Sequence, residues 1–270
     1  MTEIPFKAIA VDMDGTFMND DLTYDHARFR KLLTKIKEKK VHFIVSSGRP
    51  LSRLRKDFAD FLDEIDLIAD NGAILVRDNN IISSHYLTHK TGLELIHFIE
   101  SDYPTAEICV SGKNASYFKS SSPTAFKQLM HFYYPNYVEV DNFDEMPSDE
   151  RIIKLTLNCP AEWANEIETR FNSKHTENIH CTTSGFDDID VVPYGINKAQ
   201  ALKYFLRYFD VKPSELIAFG DGMNDKEMLA LAGYSYAMAN GDERIKKIAN
   251  YEAPSNNDSG VMQVLEKYFD

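Results

Sequence analysis

Three apolar runs in this chain stop abruptly on side chains that belong in water. Ala8-Ile9-Ala10-Val11 ends at Asp12, His42-Phe43-Ile44-Val45 at Ser46-Ser47-Gly48, and Leu216-Ile217-Ala218-Phe219 at Gly220-Asp221-Gly222. Four successive apolar residues fit a strand covered on both faces, as in a parallel sheet packed between helices. Between these runs apolar residues recur at helical spacing: Phe29, Leu32, Leu33 and Ile36, and later Leu202, Phe205, Leu206 and Phe209. Pro50 stands where a first helical turn tolerates it, with Leu51, Leu54, Phe58 and Leu62 continuing the pattern. Leu67-Ile68-Ala69 adds a strand, Asn71-Gly72 a turn, and the stretches 73–77 and 81–85 flank Asp78-Asn79-Asn80 as a hairpin. Strands alternating with helices predict an α/β fold built on a parallel sheet.

The middle of the chain breaks this rhythm. Short strand candidates at 106–110, 115–119, 152–157 and 179–183 mix with helix candidates at 93–100, 123–132 and 161–171. That mixture predicts an antiparallel α+β unit, residues 88–189, inserted into a discontinuous core of 1–87 and 190–270. Composition narrows the function. Forty-two acidic against 30 basic residues leave a formal charge of −12, which argues against nucleic acid and anionic membrane surfaces as partners. No apolar run approaches the roughly 20 residues of a spanning helix, and no basic stretch followed by an apolar one opens the chain. Cys109, Cys159 and Cys181 form no CxxC pair and are read as buried thiols. The expectation is a cytoplasmic protein, monomer or homodimer.

In open parallel sheets ligands bind beyond the carboxyl ends of the strands, where this chain concentrates its polar residues. In Asp12-Met13-Asp14-Gly15-Thr16, residues two apart can face one point. Two such carboxylates repel unless a divalent cation lies between them, and oxygen ligands beside a phosphate favour Mg²⁺. A plain Asx-type turn is the competing explanation. Gly220-Asp221-Gly222-Met223-Asn224-Asp225 supplies a second acidic cluster at another strand end, although Asp225 could equally cap the next helix.

Taken in order, four segments resemble the motifs of the haloacid dehalogenase-like superfamily, in particular its Cof-type phosphatases. They are Asp12 to Thr16, Ser46-Ser47-Gly48-Arg49-Pro50, Lys198 behind Pro193-Tyr194-Gly195-Ile196-Asn197, and Gly220 to Asp225. The resemblance implies a Rossmann-like core carrying a type-two α/β cap between the second and third motifs. It implies a Mg²⁺-dependent phosphatase acting on a small phosphorylated metabolite, such as a sugar phosphate, through an aspartyl-phosphate. Asp12 would be the nucleophile and Asp14 the acid and base. The metal would be held by Asp12, the Asp14 carbonyl and Asp221, with Asp225 in support. Phosphate would be bound by the Met13 amide, Ser47, Gly48, Lys198 and Asn224. Ser47 replaces a frequent threonine, Ala199 a common glycine and Phe17 a usual leucine, and none of these changes removes a catalytic group.

Other residues carry blander expectations. His42 lies within an apolar run and is expected to pack. Tyr133-Tyr134 and the aromatic stretch 204–209 fit core or cap packing, and Ser111-Gly112-Lys113-Asn114 fits a hairpin turn. Arg49 is open between a reach to substrate or cap and a structural ion pair. Three rival functions remain to be weighed. A phosphomutase would use the same site. A phospho-aspartate signalling receiver has no place for so long an insertion. A dinucleotide-binding oxidoreductase needs a glycine-rich turn where Asp-x-Asp stands.

Overall fold

The computed structural model describes residues 4–174, 179–183 and 188–269. The outermost residues of the expected core, and segments 175–178 and 184–187 of the expected insertion, lie outside the described residues.

The first five strands follow the apolar runs and the hairpin: β1 (Ala8–Val11), β2 (His42–Ser46), β3 (Asp66–Ala69), β4 (Ile74–Arg77) and β5 (Asn80–Ser84). Six more occupy the middle of the chain: β6 (Glu107–Gly112), β7 (Ser116–Lys119), β8 (Tyr137–Val140), β9 (Ile152–Asn158), β10 (Ile179–Thr183) and β11 (Asp188–Pro193). The last three are β12 (Leu216–Gly220), β13 (Tyr234–Met238) and β14 (Tyr251–Ala253). They form two sheets. The larger has eight strands in the order β14-β13-β12-β1-β2-β3-β4-β5, and the smaller six in the order β10-β11-β9-β6-β7-β8.

β1 lies inside the large sheet, parallel to β2 on one side and β12 on the other. Ala8 pairs with both His42 and Leu216, so the three strands run level and end together. The order reverses here, and such a switch point opens a crevice at the carboxyl edge. The fold is therefore α/β with a parallel sheet; only β4 runs against the rest, pairing antiparallel with β3 and β5.

Helices cover this sheet as the spacing predicts. In α1 (His26–Glu38), Phe29, Leu32, Leu33 and Ile36 are buried, and Asp25 caps the helix by accepting from the Arg28 amide at 2.9 Å. One expectation fails at α2 (Leu51–Asp57), which stops before Leu62 although the periodicity continues. Phe58 instead closes an aromatic cluster with Phe17, Tyr24 and Phe29. Arg30 holds the following turn by pairing with Glu64 and donating to the Asp60 carbonyl. Tertiary contacts override the helical pattern.

The smaller sheet carries α3 (His89–Asp102), α4 (Thr124–Tyr133) and α5 (Ala161–Lys174). Its pairing is antiparallel except for β7 and β8, which run parallel, a departure from the wholly antiparallel unit expected. Leu155, Leu157 and Val191 join Ile96, Ile99 and Ile167 in one core on the side of α3 and α5. Alternation along β9 and β11 therefore turns Lys154, Thr156 and Asp190 to the opposite face. That face meets the large sheet's carboxyl edge, because Lys154 and Asp190 each bond to residues at the ends of β2 and β3.

The chain closes with α6 (Lys198–Tyr208), α7 (Lys226–Leu231), α8 (Glu243–Lys246) and α9 (Gly260–Phe269). His42 packs as expected, its ring stacked on Phe209 with centroids 3.6 Å apart, and burial lowers its pKa. The three cysteines are buried. Among the described residues no helix is long and apolar enough to cross a membrane.

Candidate active site

Where β1 ends, Asp12 leads into a kinked turn, Met13–Phe17. Gly15 sits at φ +71°, and a Cβ there would lie 2.5 Å from Asp221 Oδ2. Only glycine lets the turn come this close to the loop after β12. The approach is fixed from the other side by Thr16, whose hydroxyl donates to Asp221 Oδ1 at 2.6 Å.

Asp12 and Asp225 are joined by one cation. Lys198 Nζ donates to Asp12 Oδ1 at 2.7 Å and to Asp225 Oδ1 at 2.6 Å, with all three side chains nearly inaccessible to solvent. Lys198 is the first residue of α6, and Asn197 caps that helix by accepting from the Gln200 amide. The other oxygen of Asp225 accepts from the Asp221 and Gly222 amides at 3.0 and 3.2 Å. Asp225 thus shapes the loop that presents Asp221.

Burial dominates the electrostatics. It pushes Asp12 well above the ordinary carboxylate range, and Asp225 adds to the shift while Lys198 opposes it. Asp221 is pushed up to about 7 by burial and by Asp225. Burial also works against the Lys198 ammonium, but Asp12 and Asp225 outweigh it and hold the lysine charged. Carboxylate oxygens of Asp12, Asp221 and Asp225 all lie within 4.8 Å of one another. An all-oxygen set held together against its own repulsion suits a hard divalent cation.

Asp14 turns towards Arg49. The buried guanidinium donates from both Nε and an amino nitrogen to the two Asp14 oxygens, the Nε bond being 2.7 Å, and its other amino nitrogen reaches Asp57 at 2.6 Å. Arg53 completes the cluster, 2.9 Å from Asp57. Both arginines also meet α4: Arg49 lies over the Tyr133 ring and Arg53 over Phe132. Arg49 is thus an ion-pair residue that also touches the smaller sheet's helix.

A cavity opens above these groups. Its lining includes Asp12, Asp14, Ser47, Gly48, Asp221 and Asn224 from the large sheet's edge. Met130, Tyr133, Tyr134, Lys154, Thr156 and Asp190 close it from the other side. Every candidate carboxylate but the fully buried Asp225 is on this wall, which Ser47, Gly48 and Asn224 share, while Lys198 reaches Asp12 from behind. Met13 is itself fully buried beneath the turn.

Several polar residues here escaped the sequence patterns. Lys154 Nζ donates to the Gly48 carbonyl at 2.7 Å and lies 3.2 Å from Asp190 Oδ1. Asn71 Nδ2 donates to Asp190 Oδ2 at 2.6 Å, and Thr156 donates to Oδ1 at 2.8 Å. Asn71 reads locally as a turn residue and Lys154 as an alternating strand position. The one available signal was a lysine in the otherwise apolar run Ile152-Ile153-Lys154-Leu155. Tyr133 and Tyr134, expected to pack, do so while also lining the cavity. Of the expected hairpin turn, Lys113 and Asn114 lie between β6 and β7, whereas Ser111 and Gly112 still belong to β6, Ser111 pairing with Ser116.

Acidic groups, a hydroxyl and a buried lysine at a parallel sheet's switch point, roofed by a second sheet, define a capped α/β hydrolase. The family model of haloacid dehalogenase-like hydrolases matches residues 9–265. The 5-amino-6-(5-phospho-D-ribitylamino)uracil phosphatase YbjI of Escherichia coli is 32% identical over 261 residues, 97% of this chain and 95% of that protein. The phosphatase YitU of Bacillus subtilis, named for the same substrate, is 26% identical over 97% of each chain. Among solved structures, SMU.1108c from Streptococcus mutans superposes with a TM-score of 0.94 at 36% identity, covering 97% of this chain and 98% of that one. The chain belongs to the haloacid dehalogenase-like hydrolases, and to their Cof-type phosphatases. Its enzyme class is phosphoric monoester hydrolase.

Proposed function

We propose that the protein is a Mg²⁺-dependent phosphatase of small phosphorylated metabolites, turning over through an aspartyl-phosphate on Asp12. One observation carries this: Asp12, at the end of the central strand, faces the cavity with Lys198 2.7 Å behind it and Asp221 beside it. Asp12 would attack phosphorus in line with the ester oxygen. Asp14 would give a proton to the departing oxygen, then take one from the water that attacks the aspartyl-phosphate. Leaving Arg49 is the movement this asks of Asp14. Ser47, Gly48, Asn224 and the Met13 amide would hold the phosphoryl oxygens, with Lys198 adding positive charge at a helix start. Lys198 also opposes the burial that raises the Asp12 carboxyl.

Asp12, the Asp14 carbonyl and Asp221 would hold Mg²⁺, and Asp225, with both oxygens already engaged, would support it from behind. Bound there, the ion would supply charge neutralisation at the phosphoryl oxygens. Residues 1–87 and 190–270 would form the catalytic core and 88–189 the cap that selects substrates. The apolar and aromatic cap wall of Met130, Tyr133 and Tyr134 suits an ester whose alcohol carries a ring. The substrate named for YbjI and YitU, with its uracil ring, therefore heads the candidates.

Phosphate release measured across phosphorylated metabolites, including that ester and simple sugar phosphates, tests the proposal. Release that depends on Mg²⁺ is expected. No release from any ester would overturn it, and return of the phosphoryl group to an isomeric ester would replace it with a mutase.

A further inference from the structure

The smaller sheet turns a buried ion pair towards the phosphate loop. Lys154 on β9 lies diagonally across from Asp190 on β11, which stands opposite Thr156, and each also reaches to the large sheet. Lys154 donates to the Gly48 carbonyl, and Asp190 accepts from Asn71. All three side chains are at least nine-tenths buried. Pairing within the small sheet alone would not require either partner to bond outward, and a buried pair is seldom a net source of stability. Its outward bonds set register between two surfaces.

The bonds continue into the site. The Gly48–Arg49 peptide is held at both ends: its carbonyl accepts from Lys154, and its N–H donates to Ser47 Oγ at 3.1 Å. With that lone pair engaged, the Ser47 hydroxyl keeps its own proton to donate at the cavity it lines. An ammonium on the carbonyl polarises the same peptide and strengthens its N–H as a donor. On the other arm, Asn71 accepts from Asn224 at 3.4 Å through the oxygen that Asp190 leaves free. Asn71 also donates its backbone N–H to the Ser47 carbonyl at 3.0 Å. Asp70 and Asn71 both take left-handed backbone angles, φ +50° and +55°. Consecutive non-glycine residues rarely do so without a constraint from their surroundings.

We propose that Lys154, Asp190 and Asn71 form a latch through which the seated cap positions the phosphate-binding groups Ser47 and Asn224. Lys154 is a positioning residue, acting through the Gly48–Arg49 peptide. This presupposes the phosphate role proposed above for Ser47, Gly48 and Asn224. A residue that reads the alcohol would discriminate among esters. A latch on the phosphate loop acts on all of them, and on inorganic phosphate.

The test compares wild type with Lys154→Met and Asn71→Ala, using aryl and alkyl phosphates as substrates and inorganic phosphate as competitor, all with Mg²⁺. Each variant should raise the inhibition constant for inorganic phosphate about tenfold or more and lower kcat/KM by a similar factor on every ester. The double variant should lose less than the product of the two, because both act on one loop. Lys154→Arg, which keeps a donor for the Gly48 carbonyl, should restore part of the loss. Inhibition by phosphate within twofold of wild type in a variant that melts normally would overturn the latch, as would a loss confined to one alcohol. Should Lys154→Met fail to fold, Asn71→Ala and Lys154→Arg decide by the same readings. Should wild type hydrolyse no ester, the failure lies with the proposed function. Calorimetric binding of inorganic phosphate to wild type and Lys154→Met then decides the latch, and equal or absent binding in both overturns it.

Discussion

Replacing Gly15 by alanine should damage the site far more than the fold. The added Cβ would lie 2.5 Å from Asp221 Oδ2, about 0.9 Å short of the 3.4 Å at which ordinary contact begins. Asp221 cannot swing freely away, because Thr16 holds its other oxygen at 2.6 Å. Displacing a catalytic group by about 1 Å costs on the order of 100-fold in rate. The left-handed backbone at φ +71° adds about 1–2 kcal/mol of strain for any L-residue, or a few degrees in melting temperature. Gly195 separates the two effects, since its φ is +76° and a Cβ there meets nothing within 4 Å. Both variants should melt a few degrees early. Gly15→Ala alone should lose about 100-fold in kcat on an aryl phosphate and need more Mg²⁺ for half-saturation. If Gly15→Ala keeps kcat within about threefold of wild type at an unchanged Mg²⁺ requirement, then contact between this turn and Asp221 does not organise the site.

Asp12→Asn should abolish turnover, and EDTA should do so reversibly; activity surviving in the variant would remove Asp12 as nucleophile. Because burial pushes Asp221 up to about 7, protons compete with the cation there, and the Mg²⁺ requirement should rise as pH falls below 7. Asp14→Asn should lose more rate on alkyl than on aryl phosphates, since poor leaving groups depend most on protonation; equal losses would count against its acid role. Asp70 is fully buried with one carboxylate oxygen unpartnered, and burial pushes its pKa up to about 7. The folded state then holds this proton more tightly than the unfolded chain, so its contribution to stability falls as pH rises from about 4 to 7. Asp70→Asn should therefore raise the melting temperature above pH 7, by about 2–4 kcal/mol of stability, and change it little near pH 4; equal melting at pH 8 would contradict this.

The catalytic edge was legible because its residues break a local pattern. Asp12, Ser47 and Asp221 each end a run too apolar to be anything but a buried strand, so their polarity needed an explanation at once. Lys198 was legible from the Asn197 cap in front of an apolar helix. The opposing wall offered no such contrast. Lys154 occupies an ordinary alternating position, and only the arrival of Gly48, 106 residues away in sequence, ties its ammonium to the large sheet. Asn71 precedes a glycine and satisfies every local rule for a turn; its side chain acquires meaning from Asp190, 119 residues later. The same distinction separates the strands. β1 and β12 are apolar and β2 is so between His42 and Ser46 at its ends, whereas Tyr137 and Val138 on β8 are exposed at a sheet edge, and Tyr234–Met238 alternates too weakly to be assigned. Periodicity reports what faces a core, and it is silent about what two surfaces do when they meet.

Charge explains why this site should need a cation to hold its substrate. Asp12, Asp14, Asp188, Asp190 and Asp221 line the cavity and Asp57 and Asp225 back it, with Arg49, Arg53, Lys154 and Lys198 the four cations that pair among them. Both cations on the cavity wall, Arg49 and Lys154, already face carboxylates, and Lys198 lies between two. A phosphate monoester brings up to two further negative charges into this surplus. Hydroxyls and backbone amides orient such a dianion but do not neutralise it. A divalent ion at Asp12 and Asp221 would cancel most of the surplus and oppose the burial and repulsion that raise both carboxyls. The acidic excess of the whole chain and the proposed binding of phosphate at this site are therefore compatible through one ion. Without it, a phosphate at the proposed position would meet a local charge that repels it.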